Sequence, residues 1–451
     1  MMLYLLWLLQ REQPLSLVIV CFGLLAANQG DFVMKSEYQL FDRLRDSLFN
    51  LWILDTHEHI ELEDDWLRCP DGQCDFSRIV SGYVPTDICS AGCPNEGWNR
   101  ICAADTPLDE KWELFEPYWN KARNTGVSRV VIIAVRDLFG LPDLNRETYQ
   151  ELSRKMLESR RSGWYRTVLK DKARIRRCVL DRDASAPDPE YFVSTVRLDP
   201  FIGLRNSKDV KECERWSGKA IGSFSDLDEA MEKVFRRRLG EGIKAVKVGV
   251  AYTRTLRFEN PSRADAERSF DQVMLGDESA AKPLQDYLMH RAVGMASEAG
   301  LPVQIHTGIQ DGNGNWLDNA NPLHLTDLIM AHPEARFDLF HAGYPFTGEL
   351  GMLARMFPGV YADLCWMHAI SPFAARNALS EWLDIVPASK IFGFGGDYSY
   401  VEGAYAHSVI ARENVARVLT SKVSEGVFTE SDAHRIASMI MHDNAVQFFG
   451  I

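Results

Sequence analysis

Four apolar runs in this chain end on a polar residue able to hold a metal or a proton. Leu51-Trp52-Ile53-Leu54 runs into His57-Glu58-His59, Val303-Gln304-Ile305 into His306, Phe337-Asp338-Leu339-Phe340 into His341, and Ile391-Phe392-Gly393-Phe394 into Asp397. Short apolar runs bounded by turn residues predict strands at 51–57, 129–135, 174–180, 191–197, 243–250, 302–307, 337–342, 360–365 and 391–396. Apolar residues at three- and four-residue steps predict helices at 109–124, 145–162, 225–240, 281–299, 322–331, 371–385 and 403–422, with a terminal amphipathic helix at 429–449. Strands alternating with helices imply a parallel sheet with crossover helices, and strand ends that converge on one point suit a (β/α)8 TIM-like barrel.

Nine strands are one too many for eight. The pair 174–180 and 191–197 lies close together, so one of them is expected to be an accessory. Counting backward makes 391–396 the eighth strand, 360–365 the seventh, 337–342 the sixth and 302–307 the fifth. The polar strand ends then fall on strands one, five, six and eight, and the fifth, sixth and eighth are spaced at about 30 residues per strand-helix unit. Residues 60–108, rich in Cys, Pro, Gly and Asp, read as a long loop insertion over the mouth.

Composition bounds the rest. With 451 residues, 46% of them apolar, the chain can bury one large core, and a single barrel domain over 34–451 needs no second fold. A formal charge of −13 argues against nucleic acid, which is held by excess Lys and Arg, and favours a small-molecule substrate. Residues 15–29 have the length and apolarity of a signal-peptide core, with Ala26-Ala27 as a passable cleavage site. The leader before them is itself apolar, and Met34 opens a more ordinary amphipathic start. Residues 1–33 are therefore either an export or anchor segment or an over-extended start. The expected location is cytoplasmic, or exported or membrane-anchored if that segment is real. Cys69, Cys74, Cys89 and Cys93 allow a zinc-knuckle reading, but their spacing is loose and ordinary reduced thiols fit better.

His57, His59, His306 and Asp397 make a nitrogen-rich ligand set suited to one divalent transition metal, zinc first, with iron or manganese as alternatives, rather than to calcium or magnesium. A metal held this way lowers the pKa of bound water from about 15.7 toward about 7. Asp397 is then placed to accept a proton, and His341 to orient the water or polarise a carbonyl.

On these residues the chain resembles the amidohydrolase superfamily, in its single-metal branch of decarboxylases and ester or lactone hydrolases. It is particularly similar to the amidohydrolase-type domain fused to glutamine-synthetase-like proteins. The matching stretches are Asp55–His59, Lys247–Arg254, Gln304–Gly308, Leu339–Pro345 and Gly396–Tyr398. The resemblance implies a distorted barrel whose metal is bound by His57, His59, His306 and Asp397, with His341 as the sixth-strand histidine and a homodimer as a common assembly. In the two-metal branch a carboxylated fourth-strand lysine bridges the metals. Lys247 holds that place, or else lines the barrel and pairs with a substrate carboxylate or with Asp55.

Tyr252 and Arg254 follow the fourth strand and either bind a carboxylate or form a solvated loop pair. His368, just past the seventh strand, is a candidate substrate contact. His290, His324, His332, His407, His434 and His442 read as helix or loop residues, and Trp112, Phe115, Tyr118 and Trp119 as packing core. The expected activity is hydrolysis of an amide, ester or lactone carbonyl by metal-bound water on a small carboxylate-bearing substrate. Decarboxylation or isomerisation of a small acid is the alternative, although the resemblance makes a sixth-strand histidine atypical of sugar-acid isomerases. A non-catalytic barrel that has kept its metal set is the third reading.

Overall fold

The computed structural model describes residues 37–182 and 187–451. Eight parallel strands pair in chain order into a nearly closed barrel. They are β1 (Ile53–Glu58), β2 (Ile175–Leu180), β3 (Phe192–Arg197), β4 (Ala245–Val248), β5 (Val303–Ile305), β6 (Phe337–Leu339), β7 (Val360–Asp363) and β8 (Ile391–Phe392). Just beyond β8, Thr56 N donates to Phe394 O at 3.3 Å and Asp397 N donates to His57 O at 2.8 Å, tying the last strand to the first.

The backward count of strands holds. The pair expected to contain one accessory does not: 174–180 and 191–197 are both wall strands, β2 and β3. The surplus element is 129–135, which is helical. Its β-branched run Val130-Val131-Ile132-Ile133 lies inside the helix Gly126–Phe139, which starts at Thr125, whose side chain accepts from Ser128 N, and stops at Gly140 with φ 66°. Short apolar runs fit a strand or a buried helix equally well, and here the helix is buried on more than one face. The insertion also differs from expectation. It fills the whole span between β1 and β2 and is largely helical, with Phe76–Val80, Val84–Ser90, Asn95–Cys102, Leu108–Ala122 and Tyr149–Ser159 among its elements. Trp112, Phe115 and Trp119 are its buried core, as expected, and half-buried Tyr118 packs against it.

The two ends of the barrel differ in chemistry. At the N-terminal end the last helix, Asn444–Phe449, packs Phe448 and Phe449 on Leu54, Val179, Ala245 and Phe392. Burying each such ring stabilises by roughly 1.5–3 kcal/mol. Above this plug the interior turns polar. Gln304 Nε2 donates to Thr56 O and to Asp338 Oδ2, both at 2.9 Å, and Thr56 Oγ1 donates to Asp363 Oδ2 at 2.6 Å, linking β5, β1, β6 and β7 across the barrel. Burial pushes the Asp338 carboxyl up to about 7 and Asp363 well above the ordinary range. The histidines stand above it at the C-terminal end, where barrels of this kind carry their sites.

Residues 1–33 lie outside the described residues. Among those described, no helix is long and apolar enough to cross a membrane. Cys69, Cys74, Cys89 and Cys93 are free thiols that form no four-cysteine site there.

Candidate metal centre

Side chains alternate along a strand, so His57 and His59 turn one way at the end of β1 while Glu58 turns the other. Their Nε2 atoms lie 3.3 Å apart and face Asp397 Oδ1 at 3.3 and 3.2 Å. Glu58 instead accepts from Tyr398 N at 2.6 Å, and Asp55 accepts from Gly396 N at 2.9 Å. The two carboxyls grip the turn that presents Asp397. Gly396 makes that grip sterically feasible, since a Cβ there would run into the Glu58 carboxyl.

Tautomers decide what the cluster lacks. His59 Nδ1 lies 2.9 Å from the carbonyl of Asp181, so it carries the ring hydrogen and leaves Nε2 bare in the neutral form. That lone pair faces a carboxylate oxygen and the His57 ring. Burial alone would raise the Asp397 carboxyl, but hydrogen bonds with His57 and His59 hold it well below the ordinary range. Burial would lower His59, yet its bond to Asp397 lifts it: a proton on His59 offsets the negative charge. Burial, then the Lys247 charge, pulls His57 down to about 3, so it stays neutral. A cation is the other group that satisfies three converging electron pairs.

His306 and His341 form a second pair. His341 Nδ1 lies 3.1 Å from Cys365 O, which leaves Nε2 as acceptor for His306 Nδ1 at 3.0 Å. His306 Nε2 is 2.9 Å from Ile309 O, so both of its nitrogens face groups that need a hydrogen. Burial keeps His306 well below its ordinary pKa, and a neutral ring has only one hydrogen to give. His341 Nε2 is 3.9 Å from Asp397 Oδ2, whereas no His306 nitrogen lies within ion-pair distance of that carboxylate. The expected ligands therefore divide: His57, His59 and Asp397 converge directly, and His306 reaches them through His341.

Backbone strain gathers here too. His341, Ala342, Trp366 and Asp397, all just past the ends of β6, β7 and β8, have φ between 53° and 61°. Such conformations persist only where the surroundings impose them, and they cluster at functional sites.

The expected substrate contacts separate. Lys247 is fully buried, its Nζ 3.5 Å from His57 Nε2 and 3.7 Å from the Phe340 ring centroid. Burial lowers its pKa, and it makes no ion pair with Asp55. Tyr252 stands at the mouth, its ring 4.9 Å from His306 and its hydroxyl accepting from Asp311 N. Arg254 turns away. Its guanidinium pairs with Asp286 at 2.5 Å and donates to Gln285 Oε1 and Arg257 O, which makes it an internal strut rather than a substrate contact. His368 is likewise occupied on both nitrogens, by Gly393 O at 2.9 Å and Asn414 Nδ2 at 3.1 Å, and is wholly buried.

Three site residues went unread in the sequence. Asp181 ends β2, its Oδ2 4.0 Å from His57 Nε2 and 3.9 Å from His59 Nδ1, buried and without a hydrogen-bond partner. The run Cys178-Val179-Leu180 ahead of it carried the same signal as the other four strand ends. Arg197 ends β3 with ion pairs of 3.5 Å to Asp181 and Asp199. Tyr83, from the insertion, donates its hydroxyl to Asp397 O and packs 4.2 Å from the Trp366 ring; nothing in the local sequence marks it. Two triads present ligand atoms within 4.8 Å of one another, His57, His59 and Asp181 in one, and His341, Cys365 and Asp397 in the other. Of the two aspartates, Asp397 is the closer to both β1 imidazoles.

Residues 159–451 match the family model described as amidohydrolase. The match begins after β1, so the placing of His57 and His59 in the site rests on geometry. Protein fluG of Emericella nidulans is 32% identical over 251 residues, covering 51% of this chain and 29% of that protein, less than a third of its length. Among solved structures, a uronate isomerase from Thermotoga maritima has a TM-score of 0.74 at 15% identity, covering 91% of this chain and 97% of that one. A glucuronate isomerase from Caulobacter crescentus gives 0.75 at 15% identity, covering 92% and 94%. At such identity the likeness is one of fold.

Proposed function

Since the chain belongs to the amidohydrolase family, and so to a family of enzymes, we propose that it is a metal-dependent hydrolase acting on an amide, ester or lactone carbonyl of a small, carboxylate-bearing substrate. The observation that carries the reading is the convergence of His57 Nε2, His59 Nε2 and Asp397 Oδ1 within 3.3 Å. These three would hold a divalent cation, zinc first and iron or manganese as alternatives, and His306, expected as the fourth ligand, would join them only by giving up its contact with His341 or Ile309 O. When bound, such a cation supplies Lewis acidity that polarises a carbonyl and lowers the pKa of water.

The chain's own groups do the rest. Asp397, ionised beside two imidazoles, is the proton acceptor, and Oδ2 is the oxygen it turns toward His341. His341 is neutral because burial lowers its pKa to about 4; its Nδ1 hydrogen is fixed on Cys365 O, so Nε2 is the atom that receives or relays a proton. Tyr252 stands at the mouth beside His306, while buried Lys247 sets its ammonium against His57 Nε2 at 3.5 Å. Arg197 takes the substrate-anchoring role expected of Arg254: its side chain is 44% exposed, and it borders an opening of about 520 Å³ with Arg182 and Arg215. Its ion pairs to Asp181 and Asp199 are loose enough to leave donors for a carboxylate. Tyr83 and Trp366 pack together against the site, Tyr83 on the Asp397 carbonyl and Trp366 5.4 Å from the His341 ring.

A panel of carboxylate-bearing amides, esters and lactones, read by mass, tests the reaction. Gain of one water per turnover, lost in Asp397→Asn, is the expected result. Loss of carbon dioxide, or product of unchanged mass, would replace hydrolysis by decarboxylation or isomerisation on the same residues. A protein that purifies metal-free and is indifferent to chelator would point to a non-catalytic barrel.

A further inference from the structure

Away from the barrel mouth, the helix over 37–50 and the helices Gly126–Phe139, Pro372–Ile385 and Val401–Ser424 border an open cavity of about 790 Å³. Three arginines line it, each from a different helix: Arg129, Arg376 and Arg417. Their surroundings are not those of ordinary surface arginines. Arg129 is 3.3 Å from Glu413, but among the described residues neither Arg376 nor Arg417 has a carboxylate within ion-pair distance. Arg417 lies over the Phe41 ring, 4.8 Å from its centroid. The acids that also line the cavity do not fill the gap: Asp42 is 3.4 Å from Arg45, Glu413 is engaged by Arg129, and Glu37 pairs with neither central arginine.

Arg376 is held in place by a chain of hydrogen bonds. His368 Nε2 faces Gly393 O at 2.9 Å, so it carries the ring hydrogen and Nδ1 accepts from Asn414 Nδ2 at 3.1 Å. That fixes the buried Asn414 amide with its oxygen toward Arg376 Nη1, at 3.0 Å. A neutral amide thus takes one of the five guanidinium donors and none of its charge. Burial and then the charges of Arg417 and Arg129 pull Arg376 below the ordinary guanidinium range. A fork of donors oriented in advance, facing a cavity and short of negative charge, is what oxyanion recognition requires.

We propose that this cavity is a binding site for a small oxyanion, carrying phosphate or more than one carboxylate, and that Arg376 and Arg417 are its principal contacts. The site lies on different residues from the metal centre and does not depend on the reaction proposed above. Calorimetric titration of the full chain at fixed ionic strength, with inorganic phosphate and separately with succinate, tests it. One saturable site that persists in Arg197→Gln is expected for at least one anion, and which of the two binds there tells phosphate from carboxylate chemistry. Arg376→Gln and Arg417→Gln should each weaken binding about tenfold or more, the equivalent of one charge-assisted hydrogen bond, while Arg197→Gln at the barrel mouth leaves it unchanged. Should Arg376→Gln fold poorly, the exposed Arg417 decides the matter. Absence of saturable binding by both anions overturns the proposal, as does wild-type affinity in Arg417→Gln or loss of binding in Arg197→Gln.

Discussion

Replacing Gly396 by alanine tests whether the grip of Asp55 and Glu58 places Asp397. The added Cβ would overlap the Glu58 carboxyl and lie 3.1 Å from Asp55 Oδ2. Glu58 can give way only by breaking its bond to Tyr398 N, because it is fully buried. Overpacking of this kind costs roughly 1–3 kcal/mol. Losing the bond to Tyr398 N adds about 1 kcal/mol, so Gly396→Ala should destabilise by about 2–4 kcal/mol. The turn must also shift, carrying Asp397 away from the two imidazoles and weakening metal retention. Gly294→Ala is the matched control. That glycine lies inside the helix Ala281–Glu298 with nothing within 4 Å of the new Cβ, and alanine there should stabilise by roughly 0.5–1 kcal/mol. Urea denaturation of both variants, with metal content measured on the folded protein, reads out the pair. If Gly396→Ala matches wild type in stability and metal content, the carboxyl grip does not position Asp397.

Arg254→Gln should lower stability by about 3 kcal/mol, toward the low end of the cost of breaking a buried pair, because Lys282 and Glu259 N still contact Asp286. Its KM should match wild type in the assay above, and an unchanged melting temperature with a raised KM would restore Arg254 as a substrate contact. His368 predicts acid sensitivity. Burial lowers it from 6.5 to about 4, so on acidification the unfolded chain takes up the proton first, and stability present above pH 6.5 is lost as pH falls toward 4. The loss is on the order of 3 kcal/mol. Denaturation between pH 7 and pH 4.5 should show a smaller slope in His368→Gln; an identical slope would mean that the histidine is not held neutral.

The strand ends were legible because a histidine or an aspartate breaks an apolar run at a similar place in each unit. That signal located β1, β5, β6 and β8 with His57, His59, His306, His341 and Asp397, and it was present at Asp181 as well. What it could not give is direction. Arg254 and His368 follow strands closely enough to reach the mouth, yet one bends back to Asp286 and the other is held between Gly393 and Asn414. Only packing decides such cases. The run 129–135 misled for a related reason: β-branched residues favour strands, but a helix buried on more than one face imposes no polar period to reveal it. Tyr83 comes from the insertion and has no local mark at all.

Metal-edge anomalous diffraction from crystals of the metal-loaded protein tests the central claim most directly. The account predicts one strong peak at about 2.0–2.2 Å from His57 Nε2, His59 Nε2 and an Asp397 carboxylate oxygen. A peak held by other residues, with these three atoms still facing one another, would contradict it.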